Sequence, residues 1–220
     1  MVRDGIYYAL AFFLAGFAVQ YLAGPWFALP LYLVGMFCAY FFRDPERPIP
    51  AGSVAISPAD GKVVAVMPEA DGHHRISIFL NIFDVHVNRA PISGTIVDVT
   101  YSKGLFLVAS RGEASAQNEQ NTITIQGDGT RVVFSQIAGL IARRIVCTKK
   151  PGDYVSAGER IGLIKFGSRV DVIVGPEWIV TVSPGMRVSA GSSILARRRG
   201  EVEPLAALEM KMDNGVLCPT

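Results

Sequence analysis

From Gly5 to Phe42 the chain runs 38 residues without one charged side chain: GIYYALAFFLAGFAVQYLAGPWFALPLYLVGMFCAYFF. A helix that crosses the hydrocarbon core of a bilayer needs about 20 apolar residues. Gly24-Pro25 breaks helices and divides the run into two segments, 5–23 and 26–42, each near that length. Tyr and Trp gather at the ends and at the break, as at membrane interfaces, with Arg3 flanking one end and Arg43 and Arg47 the other. That charge placement predicts cell-membrane attachment with both ends and the remaining chain on the cytoplasmic side. The second segment is marginal in length, so a hairpin that only dips into the bilayer stays open. A cleaved signal peptide fits poorly, because MVRD is weakly basic and the apolar stretch is far too long.

Residues 1–43 are therefore expected to form a membrane-associated helical hairpin, and 44–220 a second domain. FFRDPERPIP marks the boundary with charge and proline. Beyond it come short β-type runs separated by Gly, Pro and Asp: SVAIS, KVVAVM, RISIFLN, GTIVDVTY, NTITIQ, RVVFSQIA, ARRIVC, RIGLIKF, RVDVIV and ILARR. Helical character is confined to a turn or two around 82–86 and a short stretch near 204–210. TKKPGDYVSAGERIGLI (148–164) and TVSPGMRVSAGSSILAR (181–197) align at an offset of 33, and each places two tight turns around a short strand. The expected fold is a β-rich α+β, barrel-sandwich-like catalytic domain behind an N-terminal hydrophobic helical hairpin. LEMKM around Lys211 imitates a biotinylation site, but too few residues follow it to complete a carrier sheet.

A net charge of +2 is too small to argue for nucleic acid. Cys38, Cys147 and Cys218 are far apart and form no Cys-x-x-Cys pair, and with only three His neither a metal site nor a disulfide framework is expected. The polar candidates are unspecific one by one. Asp60 sits in the turn SPADGKV, His86 lies in the apolar stretch NIFDVHVNRAP, and Asn118 and Glu119 precede a strand in NEQN. In LIKFGSRVDVIVG, Gly167-Ser168 interrupts alternating hydrophobic residues, where Gly often marks a bulge or a close backbone approach.

Taken together, and in this order behind a hydrophobic hairpin, FFRDPERPIP, SPADGKV, FDVHVNRAPISG, NEQN and IGLIKFGSRVDV resemble phosphatidylserine decarboxylase, most closely the short form of that family, over residues 42–197. The resemblance implies autocatalytic cleavage between Gly167 and Ser168, giving chains 1–167 and 168–220 that remain together as a heterodimer; higher oligomers stay open. Ser168 would become a pyruvoyl cofactor that forms a Schiff base with the amine of a membrane phospholipid, phosphatidylserine, and yields phosphatidylethanolamine. Gly suits such a cut because it leaves the attacked carbonyl unshielded and permits unusual backbone. The resemblance places Asp60 on the processing aspartate and His86 on the first His of the His-x-x-His of longer members. Arg89 stands where those members have the second His, and Arg cannot act as a base at neutral pH. Activation of Ser168 then falls to His86, with Asp60 orienting its ring as in a Ser-His-Asp triad. Arg43, Arg47, Arg89, Asn118 and Glu119 are candidate substrate-binding residues. The hairpin reads as an anchor only, since the β-rich body carries all these groups. A related serine-headgroup lipid as substrate, and a non-catalytic membrane-anchored carrier, remain alternatives.

Overall fold

A computed structural model describes residues 2–105, 118–139, 144–165 and 168–200. Gly167, the helical stretch expected near 204–210, Lys211 and Cys218 fall outside them. The uncharged run folds into α1 (Arg3–Ala23) and α2 (Pro25–Phe41). Gly24 adopts φ +97° between them, and Pro25 opens α2 at a position where its missing N–H costs nothing. At 1.5 Å per residue α1 is about 32 Å long and α2 about 26 Å. Of the two, α1 is long and apolar enough to cross a membrane. The helices pack closely through Gly16 against Tyr32 and Gly35 against Phe13, while Tyr21, Leu22, Trp26 and Phe27 around the turn face outward.

The body comprises fourteen strands among the described residues: β1 (Val54–Ile56), β2 (Gly61–Pro68), β3 (His74–Leu80), β4 (Val87–Arg89), β5 (Gly94–Ser102), β6 (Gln120–Gly127), β7 (Thr130–Ile137), β8 (Arg144–Cys147), β9 (Tyr154–Val155), β10 (Arg160–Lys165), β11 (Ser168–Val174), β12 (Trp178–Val180), β13 (Arg187–Val188) and β14 (Ile194–Arg198). Eight form one sheet in the order β13-β2-β3-β11-β7-β6-β5-β9, which curls into half a barrel. Two three-stranded sheets, β4-β10-β8 and β1-β14-β12, complete the sandwich. The inner face of the large sheet buries Ile76, Ile78, Val132, Phe134, Val170 and Val172 completely, at alternate positions along β3, β7 and β11. The fold is thus the expected β-rich body behind a hydrophobic hairpin.

The 33-residue repeat is real in three dimensions. β9 and β13 close the two ends of the large sheet, and β10 and β14 each take the centre of a small one. Equivalent glycines share a backbone that side chains disfavour: Gly158 and Gly191 have φ +79° and +80°. The same offset relates two earlier turns, Pro58-Ala59-Asp60-Gly61 before β2 and Pro91-Ile92-Ser93-Gly94 before β5.

Residues 82–86 are not helical. The Phe83 N–H donates to Asn81 Oδ1 at 2.7 Å and the Asn81 N–H to Asp84 Oδ2 at 2.9 Å, so short side chains divert the backbone into a turn. β4 follows directly. All three of its residues are buried, which removes the alternation that would announce a strand.

Candidate active site

Ser168 opens β11, the strand flanked by β3 and β7 in the large sheet, and lies opposite Leu80. Its side chain is completely buried and Oγ has no hydrogen-bond partner among the described residues. A buried hydroxyl left unpaired costs about 1–3 kcal/mol. Such a group in a well-packed core asks for a reason.

Another buried polar atom without a partner among the described residues is on His86, 2% exposed. Its Nδ1–H donates to the main-chain carbonyl of Asp84 at 2.9 Å, which fixes the tautomer and leaves the lone pair on Nε2. Nε2 is buried without a partner. Burial pushes the imidazole pKa down to about 4; the Asp84 carbonyl and carboxylate raise it, and Arg43 lowers it further. At neutral pH the ring is therefore uncharged and able to accept a proton.

Both residues stand close in sequence to one contact between β4 and the large sheet. Asn88 accepts a hydrogen bond from Gln136 at 2.9 Å, across the gap between β4 and the large sheet. Gln136 lies opposite Val170. Ser168 stands two residues before Val170 on β11, and His86 two residues before Asn88, just ahead of β4. The Ile164 N–H also donates to the His86 carbonyl at 3.2 Å, four residues before Ser168. Asn118 belongs to this neighbourhood. It is buried and donates to the Ala138 carbonyl at 2.7 Å, beside Ile137, which pairs with Arg169. Glu119 is at the rim, where its carboxylate accepts from Tyr101 and raises the phenol pKa.

Asp60 does not orient the His86 ring; the Asp84 carbonyl holds that place. Asp60 Oδ1 accepts the Ala190 N–H at 2.7 Å, and Oδ2 accepts from Arg47 Nη2 at 2.8 Å. Burial raises its pKa, against the lowering effects of the Ala190 N–H and Arg47. The repeat explains half of this. Ser93, the counterpart of Asp60, accepts the N–H of Ala157, the counterpart of Ala190, at 2.9 Å. One carboxylate oxygen thus does a turn-closing task that a hydroxyl performs in the other copy, and the second oxygen holds Arg47.

Arg89 and Arg43 are likewise committed elsewhere. Arg89 is 5% exposed; its guanidinium donates to Asp44 at 2.7 Å, to the Pro45 carbonyl at 3.0 Å and to the Gly158 carbonyl at 3.1 Å. Asp44 also accepts from Arg160. This buried pair ties the linker to the body. Asp44→Ala is expected to destabilise the protein by about 3–5 kcal/mol, because it leaves a buried cation uncompensated. A lowered urea midpoint of the full chain in detergent checks this. Arg43 donates to the carbonyls of Tyr40 at 2.9 Å and Phe83 at 2.6 Å and stacks on the Tyr40 ring.

Sequence reasoning missed Phe41. Its ring packs on His86 with centroids 4.4 Å apart, so the hairpin is a wall of the site and not only an anchor. A phenylalanine at the end of an uncharged helix carries no signal that sets it apart from lipid-facing neighbours.

The phosphatidylserine decarboxylase family model matches residues 34–196. The chain is 70% identical to a phosphatidylserine decarboxylase proenzyme of Solibacter usitatus (strain Ellin6076) over 198 residues, 90% of this chain and 97% of that one. It is 44% identical to the proenzyme of Syntrophus aciditrophicus (strain SB), over 89% and 96% of the two chains. With that of Cupriavidus pinatubonensis (strain JMP 134 / LMG 1197) it shares 43% over 89% and 94%. A chain with this site, matched along nearly its whole length, belongs to the phosphatidylserine decarboxylase family of enzymes.

Proposed function

We propose that the protein cuts itself between Gly167 and Ser168, converts Ser168 into a pyruvoyl group, and decarboxylates phosphatidylserine to phosphatidylethanolamine in phospholipid biosynthesis. The observation that carries this reading is the buried Ser168 hydroxyl at the head of β11, without a partner among the described residues, in a chain whose His86 keeps a buried lone pair on Nε2. His86 Nε2 takes the hydroxyl proton as Oγ attacks the carbonyl carbon of residue 167. The C–N bond breaks and an ester replaces the amide. Loss of the α-proton of residue 168 expels the carboxylate of residue 167 as a new C-terminus. The dehydroalanine that remains takes up water and releases ammonia.

The pyruvoyl carbonyl supplies an acceptor for the substrate amine and for the electron pair left when carbon dioxide departs. Ser168 fits this role, since its backbone stays pinned in the sheet after the cut. His86 is the group placed to hold a proton and return it to the substrate α-carbon. The hairpin sets the site at the cytoplasmic face of the cell membrane, where a diacyl substrate resides, and the two product chains form a heterodimer.

The test is intact mass of the purified full-length protein, beside release of labelled carbon dioxide from vesicles containing carboxyl-labelled phosphatidylserine. The expected result is two chains, 1–167 and 168–220, the smaller one lighter by one ammonia than a Ser-capped peptide, together with turnover. One intact chain without turnover would point to a non-catalytic module and sink the proposal.

A further inference from the structure

Phe41 ends α2 at the point where the hairpin meets the body, and it is only 1% exposed. Its ring lies against His86 with planes 32° apart. Phe41, Phe42 and Leu163 form a small core of their own, joined by Val2, Phe37, Ile82 and Val146. The junction is locked from several sides. The Val2 N–H donates to the Phe42 carbonyl at 3.0 Å. Gly5 sits so close that a Cβ there would lie 2.2 Å from that of Phe42. Tyr40 and Arg43 both donate to the Phe83 carbonyl in the turn that leads into His86. On the opposite side Lys165, three residues before Ser168, donates to Asp4 at 2.8 Å beneath the Tyr8 and Phe42 rings. The hairpin base thus grips both the turn that carries His86 and the strand that runs into the cut.

We propose that Phe41 is a positioning residue for self-cleavage: its ring walls the His86 imidazole off from water and holds it in place toward Ser168, so that processing requires a docked hairpin. This rests on the reading that His86 activates Ser168. Deleting the hairpin would then remove part of the processing machinery along with the anchor. The charged groups around His86 are few. Asp84 holds Nδ1 through its carbonyl, while its carboxylate pairs with Arg187. Arg43 lies at the end of α2, Asp60 with Arg47 beyond Asp84, and Lys165 with Asp4 on β10. None of these partners is removed by substituting Phe41, so a change in the ring's titration reports the lost apolar cover.

The experiment uses the full chain in detergent with ¹³C-labelled histidine. Ser168→Ala keeps it uncut, and His86→Gln assigns the resonance. In the Ser168→Ala protein His86 is expected to titrate near 4. Adding Phe41→Ala should raise that midpoint by about one to two pH units, as water reaches the ring; Phe41→Leu, which keeps an apolar cover, should restore most of the depression. With Ser168 present, Phe41→Ala should cleave more slowly than wild type, and up to about twofold more slowly at pH 6 than at pH 8, the ratio expected of a base whose midpoint has risen to about 6. Wild type and Phe41→Leu should show little difference between the two pH values. An unshifted His86 midpoint in Phe41→Ala would overturn the proposal, and so would wild-type cleavage by that variant at both pH values. A wild-type protein that never cleaves would instead remove the processing reading, and the titration would still decide what Phe41 does to His86.

Discussion

Ser168→Ala protein will run as a single chain of 220 residues, inactive, where the native protein runs as two. The expectation is all-or-none because one oxygen atom performs every step of processing. Without Oγ there is no ester, and without the ester no leaving group for the elimination that makes the pyruvoyl group. The substitution is mild for the fold. Ser168 Oγ makes no hydrogen bond, so its removal breaks none and relieves a buried polar atom of its desolvation cost. Far-ultraviolet circular dichroism and thermal midpoint should match an uncut wild-type sample, which separates lost chemistry from lost structure. Edman degradation offers a second readout: the smaller wild-type chain should be blocked and the variant should yield only the native N-terminus. An Ala variant that still splits at this bond would end the idea.

His86→Ala should slow processing by roughly 10²–10⁴-fold, the usual loss when a general base is removed. The reason lies in the two orphaned atoms. With Nδ1–H given to the Asp84 carbonyl, the ring has one lone pair left, and burial keeps it free of a proton at neutral pH. The sign can be checked directly. A histidine whose pKa is depressed to about 4 is already deprotonated across pH 6–8, so wild-type cleavage should change little there and fall only as the pH approaches 4. Cleavage half-time should be measured beside turnover per cleaved chain. A His86→Ala protein that cleaves at the normal rate and fails only in turnover would assign Ser168 to another base and leave His86 the second step alone.

Much of the fold was legible because its signals are local. Gly24-Pro25 announces its own turn, alternation reveals β2, β3 and β5 to β7, and the paired Val-Ser-Ala-Gly turns disclose the repeat. The short strand β12 was not legible, since three residues cannot establish a period. The site was half legible. Ser168 and His86 were picked out by the family resemblance, since neither is specific by itself. Asp60 was given to His86 because a carboxylate is the common partner of a catalytic imidazole. The structure uses a carbonyl instead, a group every residue owns and no sequence can advertise. Arg89 looked free because its partner Asp44 lies 45 residues earlier in the chain. Phe41 escaped for the same reason: its meaning comes from a ring 45 residues later in the chain.

The placement of β11 has a consequence for what the enzyme is after the cut. β11 pairs with β3 along seven residues and with β7 along six, and both neighbours belong to the segment before residue 167. β13 pairs with β2 and β14 with β1, again across the cut. If the proposed cut occurs, the described residues 168–200 of the smaller product are woven through the larger one and not laid against it. Dissociation and global unfolding become one event, so the mature pair should hold together on dilution as a single polypeptide does, with no association constant for the cell to satisfy.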